Sequence, residues 1–235
     1  MTNPLSIENR TCRLFGSDNP DCLLIQPSAR HETAMLDAEA AQIAALSKRP
    51  FILAAIELDD WILDLMPWPD RNISREDEAG KHAPDTLHYI QNALIPVLKE
   101  RYGEHPVILG GYSLGGLFAL WAATQTDGFL AIAAASPSVW IKDWIPFARK
   151  NAPAAEFVYL SLGQREEYVK NQAIARVGHC LREYDALLQS QLGPQRHTLV
   201  WEAGNHFTDN EGRLARAFAW CMNRLQGESG QRIIA

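Results

Sequence analysis

Cysteine is scarce in this chain. Cys12, Cys22, Cys180 and Cys221 are scattered over 235 residues with no C-x-x-C pair. That pattern excludes a zinc ribbon or a disulfide framework and predicts reduced thiols in a cytoplasmic protein. No block of lysine and arginine stands out and the formal net charge is −6, which argues against a nucleic-acid partner. No apolar run approaches the ~20 residues needed to cross a bilayer, so no membrane partner is expected. The start, MTNPLSIENR, lacks the basic-then-apolar form of a signal peptide. There is no internal repeat and no low-complexity segment. The chain is 47% hydrophobic, enough for one full core, and residues 1–235 are expected to be a single domain.

The most informative stretch is 106–125, PVILGGYSLGGLFALWAATQ. A short apolar run (107–109) meets Gly110 and Gly111, then Tyr112, Ser113, Leu114, Gly115 and Gly116, and helix formers follow. Apolar run, glycine-hemmed serine and helix together are the sequence form of a strand that turns sharply and leaves as a helix. The central residue of such a turn is strained, which its neighbours tolerate only if they carry little side chain. Gly111 and Gly115 supply that room. The result is a serine hydroxyl at a strand tip, beside the Leu114 N–H at a helix N-terminus that favours negative charge.

Around this element, apolar runs at 11–15, 22–26, 51–56, 129–135, 157–162 and 198–201 read as strands. Helical spacing marks 32–47, 85–101, 114–125, 172–191 and 209–226. Pro96 should bend the second of these. Thr208 and Glu211 have the spacing of a capping box ahead of the last. The segment LDDWILDLMPWPD reads as irregular because of its prolines and charges. Strands alternating with helices predict an α/β fold: a mainly parallel sheet with helices on both faces, a three-layer sandwich. Right-handed crossovers put the strand C-termini on one edge, where ligands of such sheets bind.

A serine hydroxyl needs a base within hydrogen-bond reach. Of seven histidines, His105 and His197 stand at strand starts, on the wrong edge, and His88 and His179 lie within helices. His31 and His82 sit in connections that position alone does not exclude. His206 directly follows the last strand, in EAGNHFTDNEG, on the same edge as Ser113. An acid to orient it should come from a strand end between the two. LGQREEYVKN offers Glu166 and Glu167, and the segment after 129–135 offers Asp143. Glu166 is taken as first of the pair and closer to the strand end. A tetrahedral oxyanion needs two N–H donors. Leu114 is one; since Pro27 has no N–H, Ser28 or Ala29 must be the other. Ser28 is the candidate, with a helix cap as its alternative role.

With these residues in place, the sequence resembles the putative-esterase branch of the α/β-hydrolases, the group that includes esterase D and enterochelin-esterase-like enzymes. GGYSLGGLFALWAA, SPSVW, LSLGQREE and EAGNHF carry the likeness, and LDDWILDLMPWP resembles a Trp- and Pro-rich loop of small bacterial members. The resemblance implies an α/β-hydrolase fold without a separate cap domain. It also implies hydrolysis of small-molecule carboxylic esters by Ser113 and His206, with an acid after Gly163. Nothing corresponds to the extra N-terminal domain of the enterochelin esterases.

Trp61, Trp68 and Trp140 fall in segments expected to border the active edge, where they would favour an acyl or aromatic group; each could instead close the core beneath a loop. Asp59, Asp60 and Asp64 fit no calcium or zinc pattern, so neither metal nor cofactor is expected. The reaction expected is serine-dependent ester hydrolysis through an acyl-enzyme. An acyltransferase or thioesterase would use the same residues, and a hydrolase-fold binding module without catalysis would lack one of them.

Overall fold

Strictly apolar runs separated by helices leave a sheet no face to expose, so both must be covered. The computed structural model describes residues 4–29, 33–75 and 80–225, with the backbone alone for Thr33 and Ala34. Among them, eight strands form one sheet: β1 (Leu5–Ile7), β2 (Arg10–Gly16), β3 (Cys22–Ala29), β4 (Phe51–Leu58), β5 (Val107–Tyr112), β6 (Ala131–Ala135), β7 (Phe157–Gly163) and β8 (His197–Glu202). Their order is β1-β2-β4-β3-β5-β6-β7-β8. β2 runs antiparallel to both β1 and β4, and the remaining pairs are parallel.

The helices are α1 (Thr33–Leu46), α2 (Trp61–Leu65), α3 (Ala83–Tyr89), α4 (Ile95–Tyr102), α5 (Leu114–Ala122), α6 (Trp144–Ala148), α7 (Gln172–Ala175), α8 (Val177–Gln191) and α9 (Asn210–Met222). Alternation along the strands sends side chains to two cores. Leu23 and Ile25 of β3 join Leu94, Leu98, Phe118 and Leu181 on one face. Cys22 and Leu24 join Ile43 of α1 and Leu214, Phe218 and Met222 of α9 on the other. Burying one such leucine or phenylalanine contributes about 1.5–3 kcal/mol.

Several local expectations change. β1 is too short to leave a period-2 signal. LDDWILDLMPWPD does hold a helix, α2, because the Asp60 carboxylate accepts the N–H groups of Ile62 and Leu63 at 3.0 and 2.8 Å. The helix around Pro96 passes through a π-helical turn at Ile90–Leu94, which accommodates the missing proline N–H. The helix expected over 172–191 is two, divided at Arg176. The capping box does not form. Asp209 is the cap residue of α9, in the left-handed region at φ 56°, and Thr208 instead bonds back to Asn205 at 3.1 and 3.2 Å.

Candidate active site

β5 delivers Ser113 at φ 58°, ψ −116°, a conformation that costs a non-glycine residue about 1–3 kcal/mol. Backbone bonds hold it there. Its N–H donates to Ala135 O at 3.1 Å, and its own carbonyl accepts from Ser138 N–H at 3.1 Å. A Cβ on Gly111 would collide with the Gly115 backbone, so that glycine is sterically required, and one on Gly115 would crowd Pro27 Cγ at 3.1 Å. Leu114 opens α5, where the first N–H groups have no acceptor within the helix.

The loop after β8 brings His206 over this turn. Ser113 Oγ lies 3.1 Å from His206 Nε2, and His206 Nδ1 lies 2.7 Å from Glu166 Oε2. An ionised carboxylate only accepts, so Nδ1 carries the proton and Nε2 presents its lone pair to the serine hydroxyl. Glu166 sits just past β7, 4% exposed, and its Oε1 accepts from Gly163 N–H at 2.7 Å and from the Ser136 hydroxyl at 2.8 Å. Burial pushes this carboxyl up, but the His206 bond and charge and the bonds from Gly163 and Ser136 outweigh it and hold the group below the usual carboxylate range. Glu167 turns away and pairs with both Arg182 nitrogens at 2.9 and 3.0 Å. Asp143 is exposed, ahead of α6 and 3.9 Å from Lys142 Nζ.

Residues 35–220 match the family described as Putative esterase. The chain belongs to the putative-esterase family. Siderophore hydrolase EstB from Aspergillus nidulans superposes with a TM-score of 0.73 at 18% identity, over 93% of each chain. An IroE-like serine hydrolase from Shewanella oneidensis gives 0.68 at 15%, over 90% of this chain and 75% of that one. The enterobactin esterase FES from Shigella flexneri gives 0.67 at 16%, over 94% of this chain but 58% of its own. No curated protein sequence matches the chain. With the family, these likenesses make the fold an α/β-hydrolase fold.

For a member of this family the surroundings of the serine are informative. Two cavities meet at Ser113 and His206. One, of about 200 Å³, is walled by Trp61, Pro27 and Met35 among others. The second, of about 250 Å³, is walled by Trp140, Ile174 and Val177. Trp61 and Trp140 therefore wall the cavities that open onto the serine. Trp68 does not: its indole N–H donates to Lys142 O at 2.8 Å and its ring packs on Trp144 and Phe147 at 6.3 and 5.1 Å. Ser28 is buried within β3, which extends past the strand end expected at 26, and its hydroxyl bonds to Ala29 O at 3.3 Å. Its backbone lies in the β3–β4 ladder opposite Glu57, and it lines neither cavity. Among the acidic residues of the α2 segment, Asp60 caps the helix and Asp64 lies 3.6 Å from Arg10. His82 bonds to Asp85 at 2.9 Å, and His31 lies outside the described residues.

Sequence reasoning missed Arg213, Tyr112 and Ser136. Arg213 is fully buried and donates to Glu166 Oε1 at 2.8 Å. The one local hint is a charged residue among the apolar positions of RLARAFAW. Ser136, at φ 44°, stands at the C-terminal end of β6 as Ser113 does on β5.

Proposed function

We propose that the chain is a serine carboxylesterase that hydrolyses a small acyl or aromatic ester through an acyl-enzyme. The observation that carries this reading is the continuous chain Ser113 Oγ–His206 Nε2 at 3.1 Å and His206 Nδ1–Glu166 Oε2 at 2.7 Å. As Ser113 Oγ attacks the ester carbonyl carbon, its proton passes to His206 Nε2. Glu166 stays ionised and stabilises the imidazolium. The oxyanion takes N–H bonds from Leu114 and from Ser28 or Ala29; each is worth about 3–4 kcal/mol of barrier. His206 then returns the proton to the leaving alcohol oxygen as the carbon–oxygen bond breaks. Water, deprotonated by the same imidazole, attacks the acyl carbon; the imidazolium then returns that proton to Ser113 Oγ as the acyl–oxygen bond breaks, which releases the acid and free Ser113. These steps draw on protein groups and water alone.

Trp61 and Trp140 are the walls we assign to substrate, and the largely apolar second cavity favours an acyl chain or an aromatic ring. We read residues 1–235 as one hydrolase domain with no separate cap. Four buried thiols suit a reducing, cytoplasmic setting. No helix among the described residues is long and apolar enough to cross a membrane.

A fluorophosphonate probe tests the nucleophile. Labelling of the wild type that disappears in Ser113→Ala is expected; equal labelling of the variant would sink the assignment. Transfer to an alcohol, or thioester cleavage, would use the same atoms, and turnover with added alcohol acceptors separates them. Product ratios that do not change with acceptor identify hydrolysis.

A further inference from the structure

The hydrolytic steps leave Arg213 without a task, yet its guanidinium bonds the acid and the backbone just ahead of the base. Nη1 donates to Glu166 Oε1 at 2.8 Å, to the Ser136 hydroxyl at 3.1 Å and to the Tyr112 hydroxyl at 3.2 Å. Nη2 donates to the carbonyls of Ala203 and Asn205 at 2.8 and 3.0 Å, and Asn205 immediately precedes His206. Tyr112 closes the circuit: its hydroxyl donates to His206 O at 2.8 Å. One planar group thus grips the acid's carboxylate with one nitrogen and the backbone that carries the base with the other.

Stability alone is a weak reason for such an arrangement. Taking a guanidinium fully out of water costs about as much as its pairing returns, and a well-packed apolar side chain of similar volume often serves as well. What a guanidinium supplies and an apolar group lacks is direction, because its donors form a rigid fork. We infer that Arg213 is a positioning residue that sets the distance and angle between the Glu166 carboxylate and the His206 imidazole. The inference rests on the serine-esterase reading above.

It has an electrostatic corollary. When His206 takes the Ser113 proton, two cations, the imidazolium and Arg213, flank one carboxylate. The Arg213 charge keeps the second imidazole proton on Nδ1 instead of letting it pass to Glu166. Among the described residues, the titratable and charged groups around His206 are Glu166 after β7, Tyr112 on β5, Glu211 of α9 and Glu39 of α1 across the first cavity, with Arg213 of α9 behind Glu166. With the others unchanged, removal of the Arg213 charge favours the imidazolium. The acid limb of the kcat/KM profile then moves to higher pH.

Arg213→Met, Arg213→Lys and Tyr112→Phe in the full chain test this, each scored by fluorophosphonate labelling rate, kcat and KM across pH, and Tm. For Arg213→Met, kcat and labelling rate should fall together by about 10²-fold, the effect of roughly 1 Å of misplacement, with KM little changed and the acid limb shifted upward. Arg213→Lys restores the charge but not the fork, so the limb should return while kcat recovers only in part. Tyr112→Phe cuts only the link to the His206 carbonyl and should lose about tenfold or less. If Arg213→Met does not fold, the other two variants decide. A folded Arg213 variant with wild-type kcat, labelling rate and pH profile overturns the inference, as does activity that falls only in step with Tm at an unshifted profile. Failure of the wild type to label overturns the esterase reading itself, and the positioning role with it.

Discussion

Arg213 and Glu166 meet at 2.8 Å with side chains 0% and 4% exposed, while the other carboxylate oxygen of Glu166 holds His206 at 2.7 Å. A single carboxylate therefore joins a structural cation to the imidazole over Ser113. Breaking such a pair from one side leaves an uncompensated buried charge, which typically costs about 3–5 kcal/mol.

Glu166→Gln is expected to lower kcat by about 10²–10⁴-fold, because an amide neither orients the imidazole correctly nor stabilises its cation. Glu167→Gln, which loses only the Arg182 pair, should keep kcat within about threefold, since exposed ion pairs contribute little. Steady-state assays of the two variants side by side check this. The reverse ranking would move the acid role by one residue.

The depressed Glu166 pKa fixes a sign for acid unfolding. Its folded value lies below its unfolded one, so between the two the unfolded chain binds more protons. The stability this supplies is complete above the unfolded carboxylate value and is lost as pH falls through the folded one. Urea midpoints measured from neutral pH downward should fall more steeply for the wild type than for Glu166→Gln, which has no such proton to take up. Parallel curves would contradict the assignment.

All four cysteines are buried. Burial, with a smaller push from Glu57, raises Cys12 to about 12. Burial, with a smaller push from Asp21, raises Cys22 to about 12, and burial also raises Cys180 and Cys221. Thiolates are the reactive form, so a disulfide reagent at pH 8 should find almost no reactive thiol in the native protein and all four after denaturation. Rapid titration of a native thiol would show that one of these sites opens readily.

The tryptophans should separate by assay. Trp61→Ala and Trp140→Ala remove cavity walls beside Ser113, so KM for aromatic or longer acyl esters should rise about tenfold, the scale of 1–3 kcal/mol for an apolar contact. Trp68→Ala breaks the bond to Lys142 O and should lower Tm with KM unchanged. Equal KM effects from all three would place Trp68 at the substrate.

Much of this protein is written locally. The strand–turn–helix around Ser113 is legible because the apolar run, the glycines and the helix formers lie within 106–125, and backbone sterics act at that range. The order Ser113, Glu166, His206 is legible because parallel crossovers carry every strand end to one edge. Thr208 and Glu211 mislead because a second local pattern competes with the first: Thr208 accepts from the Asn205 N–H at 3.1 Å, and Asp209 takes the cap position and accepts from Arg216 at 2.9 Å.

Continuous apolar runs between helical segments, with the placement of glycine, determined the layered sheet, the strained serine and the neighbourhood of its base. Packing decided which of two adjacent glutamates faces inward, which tryptophans wall a cavity and that Arg213 lies beneath the acid. Those choices depend on partners such as Glu166 and Arg213, 47 residues apart in the chain. Their energies exist only once the sheet has excluded water and made each unpaired charge costly.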